Sequence, residues 1–241
     1  MISDNFLHRL FLMNGGKRLH KWLHYFDIYE RHFARFRGRK PVVVESGVKG
    51  GGSLQMWKEY FGEGARIVGI DIDPACKEHE EEGIEVFTGS QDNPDFLATV
   101  CEKYPVIDIV IDDGSHLNPH MIASFECLYN NVAPRGVYLV EDCYLCYRRR
   151  PGAGLRKKGT FIEYAKEKID ELHAAHNIGL PVSGITLTTD HIAFYDSVVV
   201  FEKAPQGRRQ NIRTHNMGHP VDPPGRGRAA RGEEAEGQDG E

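Results

Sequence analysis

The chain has 241 residues, 40% of them hydrophobic and 27% charged, with a formal net charge of −5; these values fit one globular domain with room for a sizeable core. The acidic balance argues against a non-specific nucleic-acid binder, and no apolar run reaches the length of a membrane span. Five cysteines, odd in number and set in helix- or strand-like contexts, argue against a disulfide framework; with no signal-peptide layout at the N-terminus, a cytoplasmic protein is expected.

Residues 1–20 are a poorly patterned lead-in, broken at Gly15-Gly16. From Lys21 to Phe36, apolar residues recur at Leu23, Phe26, Phe33 and Phe36, a spacing that predicts an amphipathic helix on the sheet edge. Tyr25 and Tyr29 lie in it with nothing local to assign them. Val42-Val43-Val44 is a β-branched run typical of a buried parallel strand. It ends in Glu45, and a loop with Gly47, Gly50, Gly51 and Gly52 follows. Ser53 is placed as the N-cap of the next helix, which Leu54 opens. Strand, glycine turn and helix together let a backbone approach a bound ligand with its N–H groups turned outward.

After that loop the pattern alternates. Strands are predicted at 66–70, 84–88, 107–111 and 136–140, and helices at 74–82, 95–103 and 118–130. Such alternation means a mostly parallel sheet covered on both faces, an α/β fold. Residues 148–158 read as a basic surface loop and 161–176 as a charged amphipathic helix. Two further strands, 184–189 and 194–202, are expected as an antiparallel pair closing the sheet edge. The organisation is thus an N-terminal lead-in (1–40), a main domain (41–203) and a Gly-, Pro- and Arg-rich tail (204–241) with an acidic end, expected to be disordered.

In open α/β sheets ligands bind beyond the carboxyl ends of the strands. Here those ends carry Glu45, Asp71, Ser90-Gln91-Asp92, Asp112-Asp113 and Glu141-Asp142. Asp71 follows the glycine loop by about the twenty residues expected of an acid that binds a ribose diol. Asp73 reads as a helix cap. Gln91 has the donor and acceptor that suit an adenine edge, while Ser90 and Asp92 serve equally well as turn or cap residues. Asp113, Glu141 and Asp142 end neighbouring strands. Clustered acids repel unless a cation joins them, and an all-oxygen set suits Mg2+, Mn2+ or Ca2+; the alternative is that they splay apart and pair with Arg148–Arg150. Cys143-x-x-Cys146 has no second ligand pair at zinc spacing.

Taken together, ESGVKGGGS, GIDIDP, GSQD, IDDGSH and VEDCY resemble the class I S-adenosylmethionine-dependent methyltransferases. More narrowly they resemble the Mg2+-dependent O-methyltransferases: the catechol type and, still more, the actinobacterial enzymes that methylate macrolide sugars. Cephalosporin-hydroxylase-type proteins share the pattern. The resemblance implies a Rossmann-like, seven-stranded sheet with an antiparallel last strand. It implies S-adenosylmethionine held through Glu45, Gly47 and Ser53 (methionine part), Asp71 (ribose) and Ser90 and Gln91 (adenine), and Mg2+ held by Asp113, Glu141 and Asp142. His116 stands where the catechol enzymes carry a lysine base. The macrolide sugar enzymes resemble a pattern with a histidine just before the final strand; Ala193 occupies that place here, and His191, two residues earlier, is the second candidate base.

The expected function is therefore an O-methyltransferase acting on a hydroxyl of a small molecule, a sugar or polyol of a natural product, with no nucleic-acid or membrane partner and with self-association open. The alternatives are a catechol or phenol O-methyltransferase and a non-catalytic accessory protein.

Overall fold

The computed structural model describes residues 4–176 and 179–204, together with the backbone of 213–214 and 220–221. Seven strands form one sheet: β1 (Val42–Ser46), β2 (Arg66–Asp71), β3 (Ile84–Thr88), β4 (Ile107–Asp112), β5 (Val132–Val140), β6 (Thr189–Phe194) and β7 (Val199–Lys203). Their order is β3-β2-β1-β4-β5-β7-β6. All neighbours are parallel except β7, which runs against both β5 and β6. From β1 the chain steps outward to β2 and β3, then returns to lay β4 on the other side. The loops leaving β1 and β4 therefore diverge, and a crevice opens between them.

Period-two alternation sorts the strand side chains onto two faces. Val43, Ile109 and Ile111 join a cluster with Leu7, Phe26, Phe33 and Trp57. Val44 and Val110 join one with Phe125, Phe161 and Phe201 on the opposite face. The first face is covered by α1 (Phe6–Leu12), α2 (Tyr25–Phe33) and α3 (Gly52–Phe61), so the lead-in shares the main core. The second is covered by α4 (Pro94–Lys103), α5 (Asn118–Leu128) and α6 (Phe161–His173).

The strands of the first 140 residues fall within a few residues of their predicted positions. The helix predicted from Lys21 to Phe36 starts only at Tyr25, leaving Lys21 in an irregular stretch, and three further local expectations are corrected. The lead-in contains α1, capped by the Asn5 side chain, which accepts from the His8 N–H at 3.0 Å; seven residues are too few to display a helical period. Residues 184–188 are not a strand but a short helix, α7 (Gly184–Thr188), and the edge pair is instead 189–194 with 199–203. The β-branched composition of Ile185-Thr186 suggests a strand, but Ser183 and Thr186 close a reciprocal capping box that overrides it. Thirdly, Ser53 does not cap α3; Gly51 does, in a left-handed conformation (φ +73°). Asp73 is a cap as expected, its carboxylate accepting from the Ala75 N–H at 2.9 Å.

Residues 207–241 form a separate unit, of which only β8 (Arg213–Thr214) and β9 (Pro220–Val221) are described, paired antiparallel; the expectation of a disordered tail otherwise lies outside the described residues. Among the described residues no helix is long and apolar enough to cross a membrane.

Candidate active site

A cavity of about 700 Å3 lies across the carboxyl ends of the parallel strands, lined among others by Gly47, Asp71, Gln91, Asp113, His116 and Asp142. Its size suits a cofactor-sized ligand. The glycines of its floor are demanded first by the chain itself. At Gly47 (φ +95°) a Cβ would lie 2.1 Å from the carbonyl oxygen of Asp113, and at Gly52 one would lie 2.4 Å from the carbonyl oxygen of Arg18. The loop is thus squeezed between the end of β4 and the lead-in segment that precedes α2.

Asp71, at the end of β2, clamps this loop. Its Oδ2 accepts from the Val48 and Lys49 N–H groups at 2.9 and 3.0 Å, and its Oδ1 from the Asp73 N–H at 3.0 Å. Burial acts to raise its pKa, but the three backbone donors outweigh it and hold the carboxyl below the ordinary range. Ser90 donates its hydroxyl hydrogen to Asp92. Gln91 is a strut: its amide nitrogen donates to Asp112 and to Ser124, each at 2.9 Å, and its oxygen accepts from the Ser115 N–H at 2.6 Å. Both amide hydrogens are committed, so what Gln91 can offer a ligand in the cavity is an oxygen lone pair.

The acids at the ends of β1, β4 and β5 converge on a residue that sequence reasoning missed. The Lys21 ammonium is buried and reaches Asp113 Oδ2 at 2.6 Å, the two oxygens of Glu141 at 2.9 and 3.0 Å, and Glu45 Oε1 at 3.4 Å. Burial would depress the lysine, yet Asp113, Glu141 and Glu45 hold it well above its usual range. Burial pushes the carboxyls of Glu45 and Glu141 up, against the pull of the Lys21 ammonium. Ser53 donates to Glu45 Oε2 at 2.7 Å. Two tyrosines one turn apart on α2 complete the set: Tyr29 donates to Glu141 at 2.7 Å and Tyr25 to Asp142 at 2.8 Å.

On the cavity side, His116 Nε2 stands 3.7 Å from Asp113 Oδ1 and 3.6 Å from Asp142 Oδ2. His116 and Asp142 both adopt left-handed backbone conformations (φ 54° and 53°), a cost that recurs at functional sites because the surroundings must enforce it. The Nδ1 of His116 is buried and makes no hydrogen bond, so Nε2 is the nitrogen that can exchange a proton with the cavity.

The three carboxylates read from the sequence as one metal set fall into two overlapping groups that share Asp113: in one, Glu45, Asp113 and Glu141 bring ligand atoms within 4.8 Å of one another, with the Lys21 ammonium among them. In the other, Asp113 and Asp142, with His116, bring ligand atoms within 4.8 Å of one another; their two carboxylates suit a hard divalent ion. Glu141 is engaged by Lys21 and Tyr29. Two of the arginines considered as alternative partners go elsewhere: Arg150 donates to the His116 carbonyl at 2.7 Å and Arg148 lies over the Tyr144 ring.

His191 stands apart from the cavity. Strand register pairs it with Glu202, three residues down β7 from the end that meets Val140. There it lies beside His32 in a network that includes Tyr195 and Arg35. Its two-residue offset from Ala193 keeps the same side of the strand but moves it away from the site. Cys143 and Cys146 are packed in the core. Further cavity residues not anticipated are Arg18, Trp22 and His120.

No family model matches the sequence. The chain is 36% identical over 196 residues to the 8-demethyl-8-alpha-L-rhamnosyl tetracenomycin-C 2'-O-methyltransferase of Streptomyces olivaceus, covering 76% of this chain and 51% of that protein. It is 42% identical over 145 residues to the demethylmacrocin O-methyltransferase of Streptomyces fradiae, covering 56% and 35%. The chain thus spans about half or less of the length of the curated relatives it matches. Among solved structures it is similar to the mycinamycin-pathway methyltransferase MycE in complex with Mg, SAH and mycinamycin VI, with a TM-score of 0.73 and 30% identity over 84% of this chain and 53% of that one.

Proposed function

We propose, the chain being homologous to sugar O-methyltransferases of antibiotic biosynthesis and built on the class I S-adenosylmethionine-dependent methyltransferase fold, that it transfers a methyl group from S-adenosylmethionine to a hydroxyl of a sugar or polyol on a small molecule, with Mg2+. The observation that carries this reading is a meeting of two devices in one cavity. A glycine loop clamped by Asp71 lies at one end, and Asp113, His116 and Asp142 face one another at the other.

In this reading the Asp71 carboxylate fixes the loop whose backbone cradles the cofactor. Gly47 gives the methionine part close access, and Glu45 and Ser53 brace the loop from below. Ser90 and Gln91 border the adenine. Asp113 and Asp142 would hold the divalent ion, with Glu141 as a reserve ligand now held by Lys21. When bound, the ion supplies Lewis acidity toward the acceptor hydroxyl and the methyl donor supplies an already activated group. The protein's contribution is then mainly to orient the acceptor and remove its proton. His116 Nε2, beside both carboxylates, accepts that proton. A cytoplasmic location accords with the five free cysteines.

The test is methyl transfer to a panel of glycosylated acceptors and catechols, with and without Mg2+. Mg2+-dependent transfer to a sugar hydroxyl is expected, and transfer to catechols alone would move the substrate class. The accessory-protein reading has one observation in its favour, the Lys21 ammonium already neutralising the acid cluster. Cofactor binding without transfer to any acceptor would select it.

A further inference from the structure

Lys21 is an unusual guest in this site. It comes from the irregular stretch between α1 and α2 rather than from the sheet. Its side chain is 2% exposed, and its ammonium touches Glu45, Asp113 and Glu141, three acids from three different strand ends. Asp113 is the hinge of the arrangement. One of its oxygens faces Lys21 and the other faces His116 and the cavity. A buried carboxylate without a cation is costly, so the acids need another positive partner whenever no ion is bound. Two positive partners on the same carboxylates repel each other.

We propose that Lys21 is a built-in cation that competes with the divalent ion for Asp113 and Glu141, so that ion binding and ion release exchange one positive partner of these acids for another. This rests on the reading of Asp113 and Asp142 as ion ligands. Lys21 holds the acid cluster together in the metal-free protein and keeps Glu141 from the ion, which lowers affinity for the ion. The segment that carries Lys21 also carries Trp22, which lines the cavity and is 48% exposed, so movement of the ammonium is passed to the cavity wall.

The test uses the full chain stripped of metal with a chelator. Mn2+ binding is followed by electron paramagnetic resonance and thermal melts are recorded with and without Mg2+. Lys21→Met is expected to bind Mn2+ at least tenfold more tightly than wild type. Its metal-free form is expected to melt lower, with a larger rise on adding Mg2+. Equal or weaker Mn2+ binding by Lys21→Met overturns the proposal while leaving the ion site standing. Absence of Mn2+ binding in both proteins removes the ion site, and the proposal with it. If Lys21→Met does not fold, amine labelling of wild type mapped by mass spectrometry decides. Lys21 should be protected without metal and label several-fold faster with Mg2+, and an unchanged rate overturns the exchange.

Discussion

The hydroxyl of Tyr29 donates to Glu141 Oε1 at 2.7 Å from within a fully buried ring. One turn earlier on the same helix, Tyr25 makes the matching bond to Asp142. A helix outside the sheet thus dresses two successive carboxylates at the end of β5. Tyr29→Phe should cost about 1–3 kcal/mol of stability, since it strips a donor from a buried carboxylate. Denaturant unfolding measures this, and a change under about 0.5 kcal/mol, within the usual span of surface substitutions, would show that the bond is not holding the site.

Gly47→Ala places a Cβ 2.1 Å from the Asp113 carbonyl at a φ of +95°. Overpacking costs about 1–3 kcal/mol, with backbone strain in addition, so a lower melting temperature and at least tenfold weaker S-adenosylmethionine binding are expected. Gly15→Ala, with nothing within 4 Å, is the control and should change neither.

Asp71→Ala removes the acceptor of the Val48 and Lys49 N–H groups. Leaving such donors unpaired costs about 1–3 kcal/mol each when buried, so calorimetry should show cofactor affinity reduced by one to two orders of magnitude. Unchanged affinity would mean that the loop holds its shape without the clamp and that Asp71 is not part of the cofactor site.

Substitution tells the two candidate bases apart. His116→Ala should lower kcat by about 10²–10⁴ with S-adenosylmethionine binding little changed, while His191→Ala should stay within about twofold, because its strand position keeps it beside Glu202. The reverse pattern would move proton transfer to the sheet edge.

A pH effect is expected at that edge. Burial works to raise the Glu202 carboxyl, but His32 and Arg35 bring it down to about 2; His191 and Tyr195 also face this group. A depressed acid contributes stability above its unfolded pKa and loses it as pH falls toward the folded one. The stability gap between wild type and Glu202→Gln should therefore be full at pH 6 and shrink from about pH 4.5 toward 2. A gap that is flat over that range would show that Glu202 is not held ionised by its partners.

What the sequence makes legible follows from how local each signal is. The valine run, the glycine loop and the acids at strand ends announce themselves through period and position, and the structure puts Glu45, Asp71, Asp113, Glu141 and Asp142 at one end of one sheet. Lys21 is invisible because a lysine at the start of a predicted amphipathic helix reads as solvated; a surplus of acids hints that a cation is needed without saying which residue provides it. Tyr25 and Tyr29 sit at the right i, i+4 spacing, yet only the packing of α2 on the sheet tells which pair of acids they meet. The helix at 184–188 escaped because four residues with strand-like side chains are decided by a cap, which is a matter of backbone geometry.

The carbonyl of Arg18 occupies the space that a side chain at residue 52 would need. A chimera joined at residue 40, where composition suggests a seam, would exchange more than an appendage. It would bring in a foreign roof over the glycine loop, a foreign counter-charge for the acids and a foreign pair of tyrosines in a single cut. Recombination at that seam is therefore a way of changing the binding site, and a graft succeeds there only if the incoming segment brings its own lysine and its own close-fitting backbone.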